Sequence, residues 1–152
     1  MSENVTVKAI DAYEYIFGKL SLGSFSSRLM FQKTIYLLKL FGVPSFQDLS
    51  YTWYKRGPYC FELGGIYSKK YQEKYYLDEK DVESIKNCKK IILELISDEK
   101  YGELNSSIAY LLHDEKLSDE DIIKRMFLTK PWFEKANVES ALVKLKQLLR
   151  PN

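Results

Sequence analysis

The side chains able to do acid–base or nucleophilic chemistry are few and scattered. His113 is the only histidine of the 152 residues. It follows a leucine pair at the end of an apolar-periodic run, where an imidazole can meet the negative end of a helix. That structural role, rather than proton transfer, is the expectation for it. Cys60 and Cys88 belong to no CxxC or Cys/His cluster, so zinc is not expected. Neither thiol has a histidine close in sequence to act as its base. No glycine-rich phosphate loop, nucleophile elbow or HExxH helix is present. The acidic pairs Asp78/Glu79 and Asp98/Glu99, and the run 119–121, read as helix caps and surface charge. No catalytic residue, no metal and no cofactor is expected. The chemistry on offer is that of binding.

The residues suited to binding are concentrated. Between Tyr51 and Tyr76 stand Tyr51, Trp53, Tyr54, Tyr59, Phe61, Tyr67, Tyr71, Tyr75 and Tyr76, with the cations Lys55, Arg56, Lys69, Lys70 and Lys74 among them. Only Glu62 and Glu73 oppose those cations. Two kinds of partner suit such interleaving. Tyr, Trp and Arg dominate the hot spots of protein interfaces, which singles out Tyr54, Lys55, Arg56 and Tyr59 as protein contacts. Alternatively, cations neutralise phosphates while rings stack on exposed bases; that reading selects Arg28, Lys33, Lys55, Arg56, Lys69 and Lys70. Part of the set also has an interior use, with Tyr51, Trp53 and Lys55 on the inner face of a strand and Thr52 and Tyr54 outside.

Composition sets the frame for these residues. The length suits one domain over 1–152, large enough to need neither disulfide nor metal. A hydrophobic share of 45% and a charged share of 29% are those of a globular protein, whereas twelve tyrosines are many. Net charge is +2, but residues 1–77 hold ten Lys/Arg against six Asp/Glu, and the remainder reverses the sign. The start of the chain lacks a cationic stretch followed by an apolar run, and no apolar stretch is long enough for a membrane span. A cytoplasmic protein with two reduced, buried thiols is expected.

The elements that must position the candidates follow from periodicity. Apolar residues at helical spacing predict helices over 5–20, 28–41, 81–96, 101–112, 119–128 and 137–149. The helix over 28–41 is mostly apolar and should be central; Ser26 or Ser27 should cap it, and Gly42 with Pro44 should end it. Residues 51–55 form a short β-favouring run, which Arg56-Gly57-Pro58 breaks at once. A strand, a turn and a further helix over 61–71 is the simplest order. The expected fold is therefore a helix-rich α+β domain of about seven helices with a small two- or three-stranded element.

The stretch from Arg28 through Gln32-Lys33 to Lys39, followed by Tyr54-Lys55-Arg56-Gly57-Pro58-Tyr59 and Leu63, resembles the YwgA-like proteins of bacteria and archaea. It is more distantly similar to the Panacea (SocA-like) antitoxin domain. Ile108 to Leu112, Ile122-Ile123, Lys130-Pro131, Ala141 and Leu145 extend the likeness over most of 28–149. Gln32-Lys33 together with Gly57-Pro58-Tyr59 is the distinctive combination. Two positions depart from the pattern: Arg56 stands where a Tyr is usual, and Cys60 where a Ser is usual. The resemblance implies a mainly helical protein with a winged-helix-like part, acting as a regulator or antitoxin of prokaryotic, viral or plasmid origin. A non-catalytic protein-binding module is the expectation that follows, with a nucleic-acid-binding regulator as the alternative.

Overall fold

A computed structural model describes residues 2–21, 23–64 and 77–149. Its elements run α1 (Ser2–Phe17), α2 (Phe25–Leu40), a 3-10 turn at Pro44–Phe46, β1 (Thr52–Tyr54), β2 (Gly57–Tyr59), α3 (Phe61–Gly64), α4 (Glu79–Leu95), α5 (Glu99–His113), α6 (Asp119–Thr129) and α7 (Lys135–Leu149). The chain is a predominantly helical α+β domain with one two-stranded antiparallel sheet among the described residues. Of the helix expected over 61–71, only Phe61–Gly64 is described; the remainder, with Lys69 and Lys70, lies outside the described residues.

Local chemistry sets the helix ends. Ser24, not Ser26 or Ser27, caps α2: its hydroxyl accepts the Ser27 amide, and both later serines sit inside the first turn. Asp78, Asp98 and Ser118 do the same for α4, α5 and α6, satisfying amides that a helix start leaves unpaired. Gly42 follows α2 with φ +93°, as a left-handed residue after a helix end should. Asp81, fully buried, accepts the amide and hydroxyl of Ser45 and so ties the 3-10 turn to α4.

Helix α2 is central, as expected. From Phe31 to Leu38 every side chain is buried, including Gln32, Lys33 and Thr34. Helix α5 is equally central, packing against α7, α2 and β2. It does so with small polar groups, Ser106 and Ser107 among them, that are fully buried. Ser106 returns its hydroxyl proton to the Gly102 carbonyl at 2.6 Å, and Asn105 donates to the Leu95 carbonyl at the end of α4. Short side chains on this face let β2 approach the α5 backbone.

The hairpin differs from the expected strand, turn and helix. Thr52 pairs with Tyr59, Trp53 with Pro58 and Tyr54 with Gly57. Lys55 and Arg56 are thus the whole turn, and Gly57-Pro58, read above as the breaker, belongs to the second strand. A proline argues against a central strand because it donates no ladder bond, and Lys-Arg carries no turn signature. Gly57 resolves both difficulties: with φ +101° it supplies the left-handed residue that commonly follows a short turn. The expected alternation holds for Tyr51, Thr52, Trp53 and Tyr54, but Lys55 is exposed because the turn begins there.

Candidate functional site

Four side chains hold the hairpin down, all through its backbone or its turn. Gln32 makes a paired contact with Cys60, its amide nitrogen donating to the Cys60 carbonyl at 3.0 Å while its oxygen accepts the Cys60 amide at 2.9 Å. It acts as a third strand for one residue. Lys33 Nζ donates to the Pro58 carbonyl at 2.7 Å, and Lys130 Nζ to the Lys55 carbonyl at 2.7 Å. Arg56 Nη1 reaches Glu103 Oε1 at 3.3 Å. The distinctive Gln32-Lys33 and Gly57-Pro58-Tyr59 are therefore one structural unit, in which a helix grips a strand that has one neighbouring strand among the described residues.

The charges under the turn are unbalanced. Lys33 and Lys130 are each 1% exposed and Glu103 is 2% exposed. Lys130 lies 3.2 Å from Glu103 Oε2, close enough for an ion pair but outside hydrogen-bond geometry. Its ammonium also sits 5.0 Å from the Trp53 ring centre and 5.6 Å from that of Trp132, a placement rings favour for a desolvated cation. One carboxylate thus serves Lys130 and Arg56, with Lys33 close by. Burial, reinforced by Lys130 and Arg56 and opposed by Glu103, pushes the Lys33 ammonium down to about 7. Burial lowers Lys130 as well.

This has a consequence for pH. A lysine whose folded pKa lies below its unfolded value of 10.5 binds fewer protons folded than unfolded, so stability rises with pH between the two values. Wild type should gain about 2 kcal/mol over Lys33→Met between pH 7 and pH 9, read from urea midpoints of the two proteins. A constant difference across that range contradicts the assignment.

Above this cluster opens a pocket of about 410 Å³ lined by Phe25, Arg28, Leu29, Gln32, Lys33, Tyr54, Lys55, Arg56, Gly57 and Tyr59. Every described residue chosen for binding meets here. Tyr54, Lys55, Arg56 and Tyr59, chosen for a protein partner, and Arg28, Lys33, Lys55 and Arg56, chosen for nucleic acid, line the same concavity. Lys33 is buried beneath it and so is not a surface contact for phosphate. No carboxylate is among the described lining residues. Tyr54, Tyr59 and Phe61 form a ring cluster at its edge, with centres 5.0–5.9 Å apart. Gly64 makes room for it, since a Cβ there would fall 2.3 Å from the Tyr59 hydroxyl oxygen. Phe25, Tyr54 and Phe61 remain 55%, 49% and 64% exposed. The aromatics thus divide, Tyr51 joining the core and these rings facing outward.

Comparison with known proteins adds nothing to this geometry. No family model, curated protein or solved structure matches the chain.

The remaining candidates fall elsewhere. His113 is the last residue of α5, half-exposed, with Nδ1 3.2 Å from Asp114 Oδ1; that same carboxylate oxygen accepts the Tyr36 hydroxyl at 2.7 Å. Both thiols are free and buried, and burial raises them, Cys88 to about 11, so neither is a ready thiolate. Glu103 and Ser107 on α5, and Lys130 just after α6, carry no local signal in sequence, because charged and small polar residues there read as solvated surface. A second groove, of about 370 Å³, lies between α6 and α7 with Ile123, Phe127, Phe133 and Val138 on its walls. Phe127 beside it is 72% exposed.

Proposed function

We propose that the chain is a non-catalytic regulatory binding protein, antitoxin-like or accessory in kind, which holds a protein partner at the pocket between α2 and the hairpin. One observation carries this reading: residues separated in sequence, at the start of α2 and around the hairpin turn, form a single concavity with an apolar interior, exposed rings and a cationic rim. Exposed aromatics around a desolvated centre are what interface hot spots are made of. The likeness to YwgA-like proteins and the Panacea domain belongs to the same proposal, since the motif that carries it builds this pocket. A cytoplasmic setting also belongs to it, in keeping with two free thiols. Among the described residues no helix is long and apolar enough to cross a membrane.

Selection of random peptides displayed on phage against the immobilised chain tests the reading. Sequences retained by wild type should bind Tyr59→Ala at least about tenfold more weakly, the loss of one aromatic hot spot, while circular dichroism of the variant stays unchanged. Peptides indifferent to Tyr59 contradict the reading. The nucleic-acid alternative keeps Arg28, Lys55 and Arg56 at the rim. It predicts retention of a short DNA or RNA in a gel at low salt, lost on Arg56→Ala and falling steeply as salt rises; that outcome would replace a protein by a nucleic acid as partner.

A further inference from the structure

Resting on the reading of this pocket as a protein-binding site, we propose the class of segment it takes: an acidic peptide with one large apolar residue. The apolar side chain enters between Phe25, Leu29 and Tyr59, and the flanking carboxylates pair with Lys55 and Arg56 at the rim. Charge is the first ground. Lys55 and Arg56 stand at the rim of the cavity, and no carboxylate is among its described lining residues. Beneath them, among the described residues, Glu103 is the one carboxylate in ion-pair contact with Arg56 and the buried Lys130. A cationic or neutral segment would leave that excess unanswered, whereas an acidic one offsets it.

The donors are also available. Arg56 contacts Glu103 through Nη1 alone and is 49% exposed at its side chain, and a guanidinium carries five N–H donors. It can hold a second carboxylate without releasing the first. The Lys55 carbonyl is fixed by Lys130, which pins the turn, while its ammonium makes no ion pair among the described residues. Lys130 fixes the turn backbone and Glu103 the Arg56 guanidinium without themselves contacting the ligand, so less order remains to be imposed on binding.

The arrangement favours a peptide over a nucleic-acid strand. A strand carries phosphates at regular intervals along its length and is met by cations spread along a groove. Here the described rim cations, Arg28, Lys55 and Arg56, line one concavity. Its interior is made by Phe25, Leu29, Tyr54 and Tyr59, which suits one inserted side chain with charges on either side of it.

Three labelled, end-capped peptides test this by fluorescence anisotropy against the purified full chain at near-physiological salt. One has a tryptophan between acidic residues, the second a glycine in its place, and the third a tryptophan between lysines. The acidic tryptophan peptide should bind at least about tenfold more tightly than either other. Arg56→Gln and Lys55→Gln should each weaken it about fivefold or more, and Lys144→Gln, on the far helix α7, should leave it unchanged. Lys55 makes no ion pair among the described residues, so that variant keeps the test valid if Arg56→Gln is destabilised. Equal binding of the lysine or glycine peptide overturns the inference. So does a displayed-peptide selection that returns basic or uncharged sequences still dependent on Tyr59, which leaves the pocket as the partner's site. Selected sequences that ignore Tyr59 remove the pocket reading and this inference together.

Discussion

Glu103→Ala should lose about 3–5 kcal/mol of stability at pH 7, the range seen when one member of a buried ion pair is removed. Glu103 is buried in α5 and holds Lys130 at 3.2 Å and Arg56 at 3.3 Å. Without it Lys130 keeps the Lys55 carbonyl and the Trp53 and Trp132 rings but no counter-charge among the described residues, at 1% exposure. Arg56 can swing into water; Lys130 cannot. The relief open to Lys130 is loss of its proton, which is easier at higher pH because burial already lowers its pKa. The loss should therefore shrink between pH 7 and pH 9, and Glu103→Gln should be milder than Glu103→Ala because it keeps an acceptor oxygen. Urea unfolding at the two pH values measures both effects. A loss under about 1 kcal/mol that ignores pH would mean the cluster is hydrated and the pair weak.

Gly57→Ala should cost about 2–5 kcal/mol, from two separable sources. The backbone sits at φ +101°, where an L side chain costs about 1–2 kcal/mol. A Cβ would also fall 2.5 Å from Ser107 Oγ and 3.6 Å from Lys33 Nζ, and overfilling a packed site costs about 1–3 kcal/mol. Adding Ser107→Ala to Gly57→Ala removes the hydroxyl, the atom in the way, and leaves Cβ at an ordinary 3.6 Å, so it should recover the second part and leave the first. Thermal unfolding of the single and double variants distinguishes them. Because Gly57 also places the Pro58 carbonyl over Lys33, Gly57→Ala should weaken any ligand of the pocket even at temperatures where the variant is folded. If Gly57→Ala matches wild type in both respects, β2 does not press against α5 as described.

These two positions show where the sequence is legible and where it is not. The helices announce themselves, because an apolar stripe at helical spacing is a property of neighbouring residues; α1, α2 and α4–α7 fall within a few residues of their expected bounds. The N-cap of α2 moves from Ser26 or Ser27 to Ser24 because three serines within four positions offer equivalent hydroxyls. The second strand is hidden because its reasons are tertiary. Gly57-Pro58-Tyr59 pairs as a strand since Gln32 and Lys33 supply bonds from another helix, and nothing local to the tripeptide says so. The same holds for Lys33 and Lys130, whose type predicts solvent and whose partners, Pro58 and Lys55 carbonyls, are supplied by the hairpin.

The site was legible in its members but not in its shape. Aromatic and basic residues mark Tyr54, Lys55, Arg56 and Tyr59 directly, and charge marks Arg28. That these face one another across a single cavity depends on the hairpin folding back against α2 and α5. With that placement, a set that suited a protein partner, with nucleic acid as the alternative, becomes one concavity with a cationic rim.

The most direct measurement is an amide NMR titration of the isotope-labelled chain with the tightest peptide from the display selection. Shifts confined to residues 25–33 and 54–61, saturating together and absent in Tyr59→Ala, are the predicted result. Shifts centred instead on the groove of Ile123, Phe127 and Phe133 between α6 and α7, with the hairpin unmoved, would place the partner on another face and contradict the proposal.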